Sequence, residues 1–454
     1  MDLGGARDFQ TEHGKAEEER IPGLYARRRQ RRLGVPRPSS GSIRRPLKLD
    51  FAFYAISGAF AVYTVLWSTL PAHRFWGGIA AGAYLPAAVV TLMLLRQYAV
   101  PTITRLWIAV GAAAAAVVVP LGAEVAQRSA GVPGRAQEEV LVVEDSGRRL
   151  VDAGTPYLSV DAIAAMDDPL LGYNPYQPGM SVFGLPHAVF GDHWLADARI
   201  WFAAATLAAL WGALRLLSRN GLSNAVRVRA IQGVAALPIC ALTLATGGDD
   251  LPVAALCLLA LAAASADRPV AAGLAVGGAA ALKLFAWPVL AVMLFLAFRK
   301  GQVARFAPPA LALPLLTLTP TLLFTFDEFT ANVVEFPLGL GVVTSPAASP
   351  LPGYLIASSV PAGPTIALVL LASAALAVGV YLLRRPPGSA HAASAVCAVG
   401  LSAAVVLMPA SRFGYLLYPA VFGVWWWVLK QSESPSPEWG RHTAEVDDSG
   451  PASA

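Results

Sequence analysis

Read from its amino end, the chain alternates long apolar stretches with short polar ones, and the apolar stretches recur at the length of membrane helices. A helix needs roughly 20 mostly apolar residues to cross a hydrocarbon layer, fewer where neighbours pack tightly. Runs that meet this pattern lie at 51–70, 76–95, 106–123, 200–217, 230–246, 251–264, 270–282, 285–298, 307–325, 364–383, 391–409 and 415–429. The expected fold class is therefore all-α: a polytopic integral membrane protein with about twelve transmembrane helices. A further apolar stretch, 176–190, is short and carries Pro178, Gly179, Gly184 and Pro186. It reads as a re-entrant or interfacial segment, because an extra span there would invert the side of every loop that follows.

Short loops rich in Lys and Arg stay in the cytoplasm. With the amino terminus inside, five basic loops fall on one side: Arg96 and Arg105; Arg215 to Arg229; Arg268; Arg299, Lys300 and Arg305; Arg384 and Arg385. Both termini are then cytoplasmic, in a multi-pass protein of the plasma membrane. Trp425, Trp426 and Trp427 fall near the inner end of the last span, where indoles favour the headgroup layer. Two long segments, about 124–199 and 326–363, are left on the outer side.

Composition sharpens this reading. Of 454 residues, 56% are hydrophobic and 14% charged, with a mean hydropathy of +0.55; a soluble protein carries about a quarter charged residues. The formal net charge is +5, and residues 1–50 alone hold 12 basic and 7 acidic groups, which accounts for all of it. The basicity belongs to a tail, ARRRQRR at 26–32 included, and gives no sign of a nucleic-acid surface. That tail has no apolar core of a cleavable signal; with the acidic stretch 430–454 it reads as a disordered cytoplasmic tail in contact at most with membrane lipids. Cys240, Cys257 and Cys397 lie in apolar runs without metal-ligand or disulfide spacing.

Candidate chemistry gathers on the outer side. Residues 138–151 have the periodicity of an amphipathic helix lying on the outer membrane surface, with Val140, Val143, Gly147, Leu150 and Val151 on one face and Glu138, Glu139, Glu144 and Asp145 elsewhere. Asp249 and Asp250 in TGGDDLPV, Lys283 in AALKLFAWP, and Arg412 and Tyr415 in MPASRFGYLLYP stand at or near the outer ends of spans. Ionisable groups at membrane depth cost a few kcal/mol even on lenient scales, so they are functional candidates by default. Each also has a plainer reading. The acids can be a solvated face, the aspartates helix caps, the two cations interface anchors, and Tyr415 and Tyr418 an aromatic belt. An acid cluster with two cations suits a reaction in which cations hold an anionic leaving group and a carboxylate takes a proton. A transporter or flippase of a lipid-linked glycan is the alternative, and it would need polar residues deep in both halves of the bundle.

The order EEVLVVEDSGRRLVDAGTPY, YNPYQPGMSVFGLP, ATGGDDLPVAALCLLALA, AGLAVGGAAALKLFAWPVL and LMPASRFGYLLYP resembles the actinobacterial membrane glycosyltransferases of family 87, which have the GT-C fold. The resemblance covers about 106–429, the catalytic membrane domain it implies, and leaves two additional transmembrane helices at 51–105 and the two tails. It implies transfer of mannose or arabinofuranose from a polyprenyl-phosphate sugar donor to a glycolipid or glycan acceptor of the cell envelope, at the outer face and with inversion. It also implies a long first outer loop with interfacial helices, a general base in that loop, and no cofactor or metal, although Asp249 and Asp250 side by side are of the kind that could hold a metal. By position relative to Gly154 and Tyr157 the base corresponds to Glu139, with Glu144 and Asp145 as rivals; the family usually has Asp there, with Tyr four residues later where this chain has Val143. Lys283 and Arg412 would hold the lipid phosphate, with Asp249, Asp250 and Tyr415 as further substrate contacts.

Overall fold

The computed structural model describes residues 40–97, 100–219 and 221–433. The expected tails at 1–39 and 434–454 lie outside the described residues. Among those described there is no strand, only helices, turns and one isolated bridge. Each of the twelve apolar runs is helical. The longer helices are α1 (Ser40–Trp67), α2 (Pro71–Leu94), α3 (Thr102–Ser129), α4 (Glu138–Ala153), α5 (Ala198–Ser218), α6 (Asn224–Val234), α7 (Pro238–Thr246), α8 (Asp250–Ser265), α9 (Pro269–Leu282), α10 (Ala286–Arg299), α11 (Val303–Phe324), α12 (Gly363–Arg384), α13 (Ala390–Leu407) and α14 (Leu417–Glu433).

Seven of these are long and apolar enough to cross a membrane, and α6 with α7, bent by 55°, makes an eighth. The remaining four of the twelve runs are shorter. At 1.5 Å per residue, the 16 residues of α8 extend about 24 Å, less than a hydrocarbon core of about 30 Å. Its environment explains the difference. Thirteen of its 16 residues are buried, so its apolar surface meets protein instead of lipid, whereas α12 exposes nearly all of its apolar length.

Helix α1 begins at Ser40, inside the stretch read as tail. Contacts at two points tie this stretch to the bundle: Asp50, buried at 2% exposure, pairs with Arg105 of α3 at 2.6 Å and Arg229 of α6 at 2.7 Å and accepts from Gln232 at 3.2 Å, and Arg229 also donates to Pro46 O at 2.9 Å. A carboxylate so held requires its own helix to be formed around it, because a lone buried charge is strongly destabilising. Here the amino-terminal ends of α1, α3 and α6 meet at one end of the bundle.

The segment 176–190 forms a 3-10 turn, Pro178–Gly184, and a short helix, Leu185–Phe190, neither able to span. Met180 and Ser181 are fully buried, while Val189 and Phe190 are exposed. Helix α4 docks directly on this segment. Gly147 and Gly184 face each other so closely that a methyl on either would overlap the other strand of chain, which only glycine permits. The expected apolar face of α4 is thus corrected: Val140, Val143 and Gly147 are buried, but Val151 is 58% exposed and Glu144 takes its place inside at 1%. Instead of lying on lipid, this face of α4 packs on protein.

Candidate active site

Helix α7 ends at Thr246, and two glycines turn the chain into α8; Gly248 has φ +95°, a left-handed conformation open to glycine. The turn delivers Asp249 and Asp250 to the start of α8. The Asp249 side chain makes no capping hydrogen bond to the helix. Opposite, Lys283 interrupts the apolar run between α9 and α10 in extended conformation, φ −154° and ψ 144°. Its Nζ donates to Asp249 Oδ2 and to Asp250 Oδ1, each at 2.6 Å, and the Tyr418 hydroxyl donates to Asp250 Oδ1 at 2.8 Å.

Aromatic rings enclose this knot. Lys283 Nζ lies 5.1 Å from the Tyr176 ring centre and 5.6 Å from that of Tyr415, within cation–π range. Phe285 stacks on Tyr418 at 4.8 Å and tilts against Tyr415 at 5.0 Å. Lys283 is buried at 8% exposure, so it is not a snorkelling anchor. Burial works against its charge, but Asp249 and Asp250 outweigh it and hold the ammonium above the ordinary lysine range. Burial pushes the Asp249 carboxyl up despite Lys283, with Asp250 adding to the rise.

Arg412 forms an ion pair with Glu139 across the mouth of the same region. Burial disfavours the guanidinium, yet Glu139 more than restores its charge. Burial also raises the neighbouring Glu138 carboxyl, with the Glu139 charge second. The segment that carries Arg412 is tied to the second outer loop: Ser411 N donates to Ala347 O and Ser349 N to Ser411 O, both at 2.9 Å, and Phe413 N to Ser349 Oγ at 3.0 Å. Tyr176 and Tyr415 lie between the two charge groups, close enough to feel charges from both.

The motif YNPYQPG, read from sequence as one of several marks and not for its side chains, positions Tyr176. Tyr157 of GTPY donates its hydroxyl to Tyr176 O at 2.8 Å, and Gln177 N donates to Leu282 O, next to Lys283, at 3.1 Å. Tyr173 stacks on Phe336 at 4.1 Å, and Asn174 N donates to Asn332 Oδ1 at 2.8 Å. The first and second outer loops are thereby locked together. Tyr176 was missed among the site residues, and Tyr418 was read as belt; its spacing of three from Tyr415, on one helical side, was the available signal.

The other two acids of α4 face elsewhere. Glu144 accepts from Arg128 through both oxygens, at 2.6 and 2.9 Å, and from Ala198 N at 3.1 Å. Arg128 also donates to Asp197, which pairs with Arg199 at 2.7 Å; Arg199 in turn reaches Glu124 at 3.2 Å. Asp145 is a third exposed and pairs with Arg148 at 3.3 Å on its own helix. A cavity of about 310 Å³ lies on this side, lined among others by Arg128, His187, His193, Trp194 and Asp197. Among the described residues, no group of three or more His, Cys, Asp or Glu side chains is arranged to hold a metal.

The helix ends next to Glu139, Asp249, Lys283 and Arg412 in the chain are the carboxyl ends of α7, α9 and α13 and the amino ends of α4, α8, α10 and α14. They form the end of the bundle opposite Asp50. The model of glycosyltransferase family 87 matches residues 174–409, just over half of the chain, taking in Tyr176, Asp249, Asp250 and Lys283. No curated protein matches the chain. The crystal structure of ArnT from Cupriavidus metallidurans in the apo state superposes with a TM-score of 0.38 at 18% identity. That match covers 68% of this chain and 57% of ArnT, so the chain spans little more than half the length of that protein.

Proposed function

Because this chain belongs to glycosyltransferase family 87, we propose that it transfers a sugar of the mannose or arabinofuranose class from a polyprenyl-phosphate donor to a glycolipid or glycan of the cell envelope. The observation that carries the reading is the meeting, at one end of the bundle, of a buried lysine, an arginine and a carboxylate from three distant parts of the sequence. That end is the outer one, and both termini are cytoplasmic. The fold is of the GT-C type.

The leaving group, a lipid phosphate, carries about 1.5 to 2 negative charges near neutral pH, so it needs cations more than it needs a proton. Lys283 and Arg412 supply them, Arg412 through a planar fork and Lys283 as a point charge. When the phosphate takes Arg412, Glu139 is released from its ion pair. Its carboxylate then removes the proton from the acceptor hydroxyl as that oxygen attacks the anomeric carbon. The bond from that carbon to the phosphate oxygen breaks, the phosphate keeps the electron pair, and the configuration inverts. Asp249, whose carboxyl burial has raised, can carry a proton while the phosphate is bound, which limits repulsion between anions. Asp250 and Tyr418 keep Lys283 in place, and Tyr415 and Tyr176 wall the sugar site.

A flippase would spread such groups along a path, whereas these sit at helix ends and in the two loops. The test uses the purified chain in lipid nanodiscs with radiolabelled polyprenyl-phosphate mannose and polyprenyl-phosphate arabinofuranose and envelope-derived acceptors. Transfer from one donor is expected, lost in Glu139→Gln and Lys283→Ala. Transfer that persists in both variants, or none from either donor, refutes the proposal.

A further inference from the structure

The family match begins at residue 174, which leaves the α1–α2 hairpin without a role. Its turn, however, reaches the base of α4. The His73 imidazole Nε2 contacts the side-chain amide of Gln137, the residue that immediately precedes α4 and whose carbonyl accepts from Val140 N at 3.1 Å. Gln137 is held on its other side too: its own N–H donates to Thr246 O at 3.0 Å, and its side chain lies against Gly247, two residues before Asp249.

The rest of the approach to α4 is clamped by the same turn. Pro71 packs against Gly134, where an added Cβ would come within 3.2 Å of the proline ring, and the Arg135 guanidinium lies over the Phe75 ring at 4.8 Å while its carbonyl accepts from Arg199 at 2.5 Å. Trp76, fully buried, anchors the start of α2 by donating to Ala116 O of α3 at 2.9 Å. His73 is also near enough to the Glu139–Arg412 pair to feel both charges.

We propose that the hairpin is a working part of the site, with His73 a positioning residue that sets Glu139 through Gln137. Glu139 stands two residues beyond Gln137, less than a turn into the helix, so a shift at the cap is carried to its carboxylate almost undamped. A misplacement of about 1 Å costs on the order of 100-fold in rate. The inference rests on the reading of Glu139 as the base.

The experiment compares the whole chain with His73→Ala, His73→Gln and Gln137→Ala in nanodiscs, by two measurements. Hydrogen exchange reads the clamp without any donor: amides in 134–143 should exchange several-fold faster in His73→Ala and Gln137→Ala, those around 249–260 should not change, and His73→Gln should restore protection. Transfer from the radiolabelled polyprenyl-phosphate sugars reads the consequence: kcat should fall about 10- to 100-fold in the two alanine variants with donor KM within about twofold, and recover in His73→Gln. Unchanged exchange in both alanine variants overturns the clamp. Faster exchange with unchanged kcat overturns the positioning role. A chain that transfers from neither donor refutes the assignment of Glu139, and with it the role of His73 in catalysis, while the exchange measurement still decides whether the hairpin holds α4.

Discussion

Helix α4 sends two carboxylates into two buried charge clusters, and the clusters differ in how fully their hydrogen-bonding capacity is used. Glu139 and Glu144 are five residues apart, about 140° around the helix. On the Glu144 side, Arg199 and Glu124 are fully buried, and both oxygens of Glu144 and of Asp197 are occupied by guanidinium or backbone donors. The atoms left without a partner there, Glu124 Oε1 and His187 Nδ1, are both buried. On the Glu139 side, Arg412 keeps a third of its side chain exposed and donates to Glu139 through one nitrogen only. Its remaining donors are open to a phosphate. The same residue types act as mortar in one place and, in the function proposed above, as a site in the other, and spare donors at an accessible edge make the difference.

The comparison can be broken most sharply at Glu139. Glu139→Gln keeps size and loses basicity, and we expect transfer to drop by about 100- to 10,000-fold with an unchanged thermal unfolding midpoint; a large stability loss instead would make the two clusters alike. Next is Arg199→Leu, which takes the paired guanidinium from buried Glu124 and leaves Asp197 with Arg128 alone. It should cost about 3 to 5 kcal/mol of stability, read as loss of folded protein on heating, with any remaining folded fraction keeping wild-type donor KM. Lys283→Ala should lower transfer by about 100- to 1,000-fold and weaken donor binding. Smallest is Asp145→Asn, at an exposed edge between the clusters: transfer within about twofold of wild type, and stability within about 0.5 kcal/mol. A marked loss of transfer there would return Asp145 to the candidates for the base.

Much of the fold was readable in advance for a physical reason. Transfer of apolar surface out of water adds up locally, so a window of sequence reports its own burial; twelve apolar runs gave twelve helical regions. Lys283 stood out for the same reason, as a charge with no polar neighbours in its window. The choice among Glu139, Glu144 and Asp145 was not readable this way. Helical spacing says that they point in different directions, but not what waits in each. The placement of Tyr176 and the early start of α1 were likewise hidden, since one depends on Tyr157 and Leu282 and the other on Arg105 and Arg229.

By itself, then, the order of residues determined an all-helical membrane protein, a surplus of polar groups near one set of helix ends, and a family resemblance. Which acid faces which cation was decided only by the tertiary structure. Glu139 and Arg412 are 273 positions apart, and Asp249 and Lys283 are brought together by the packing of two helix ends. A charge finds its stabilisation from whatever partner lies within a few ångströms, and that neighbourhood is a property of the folded bundle and not of any window along the chain.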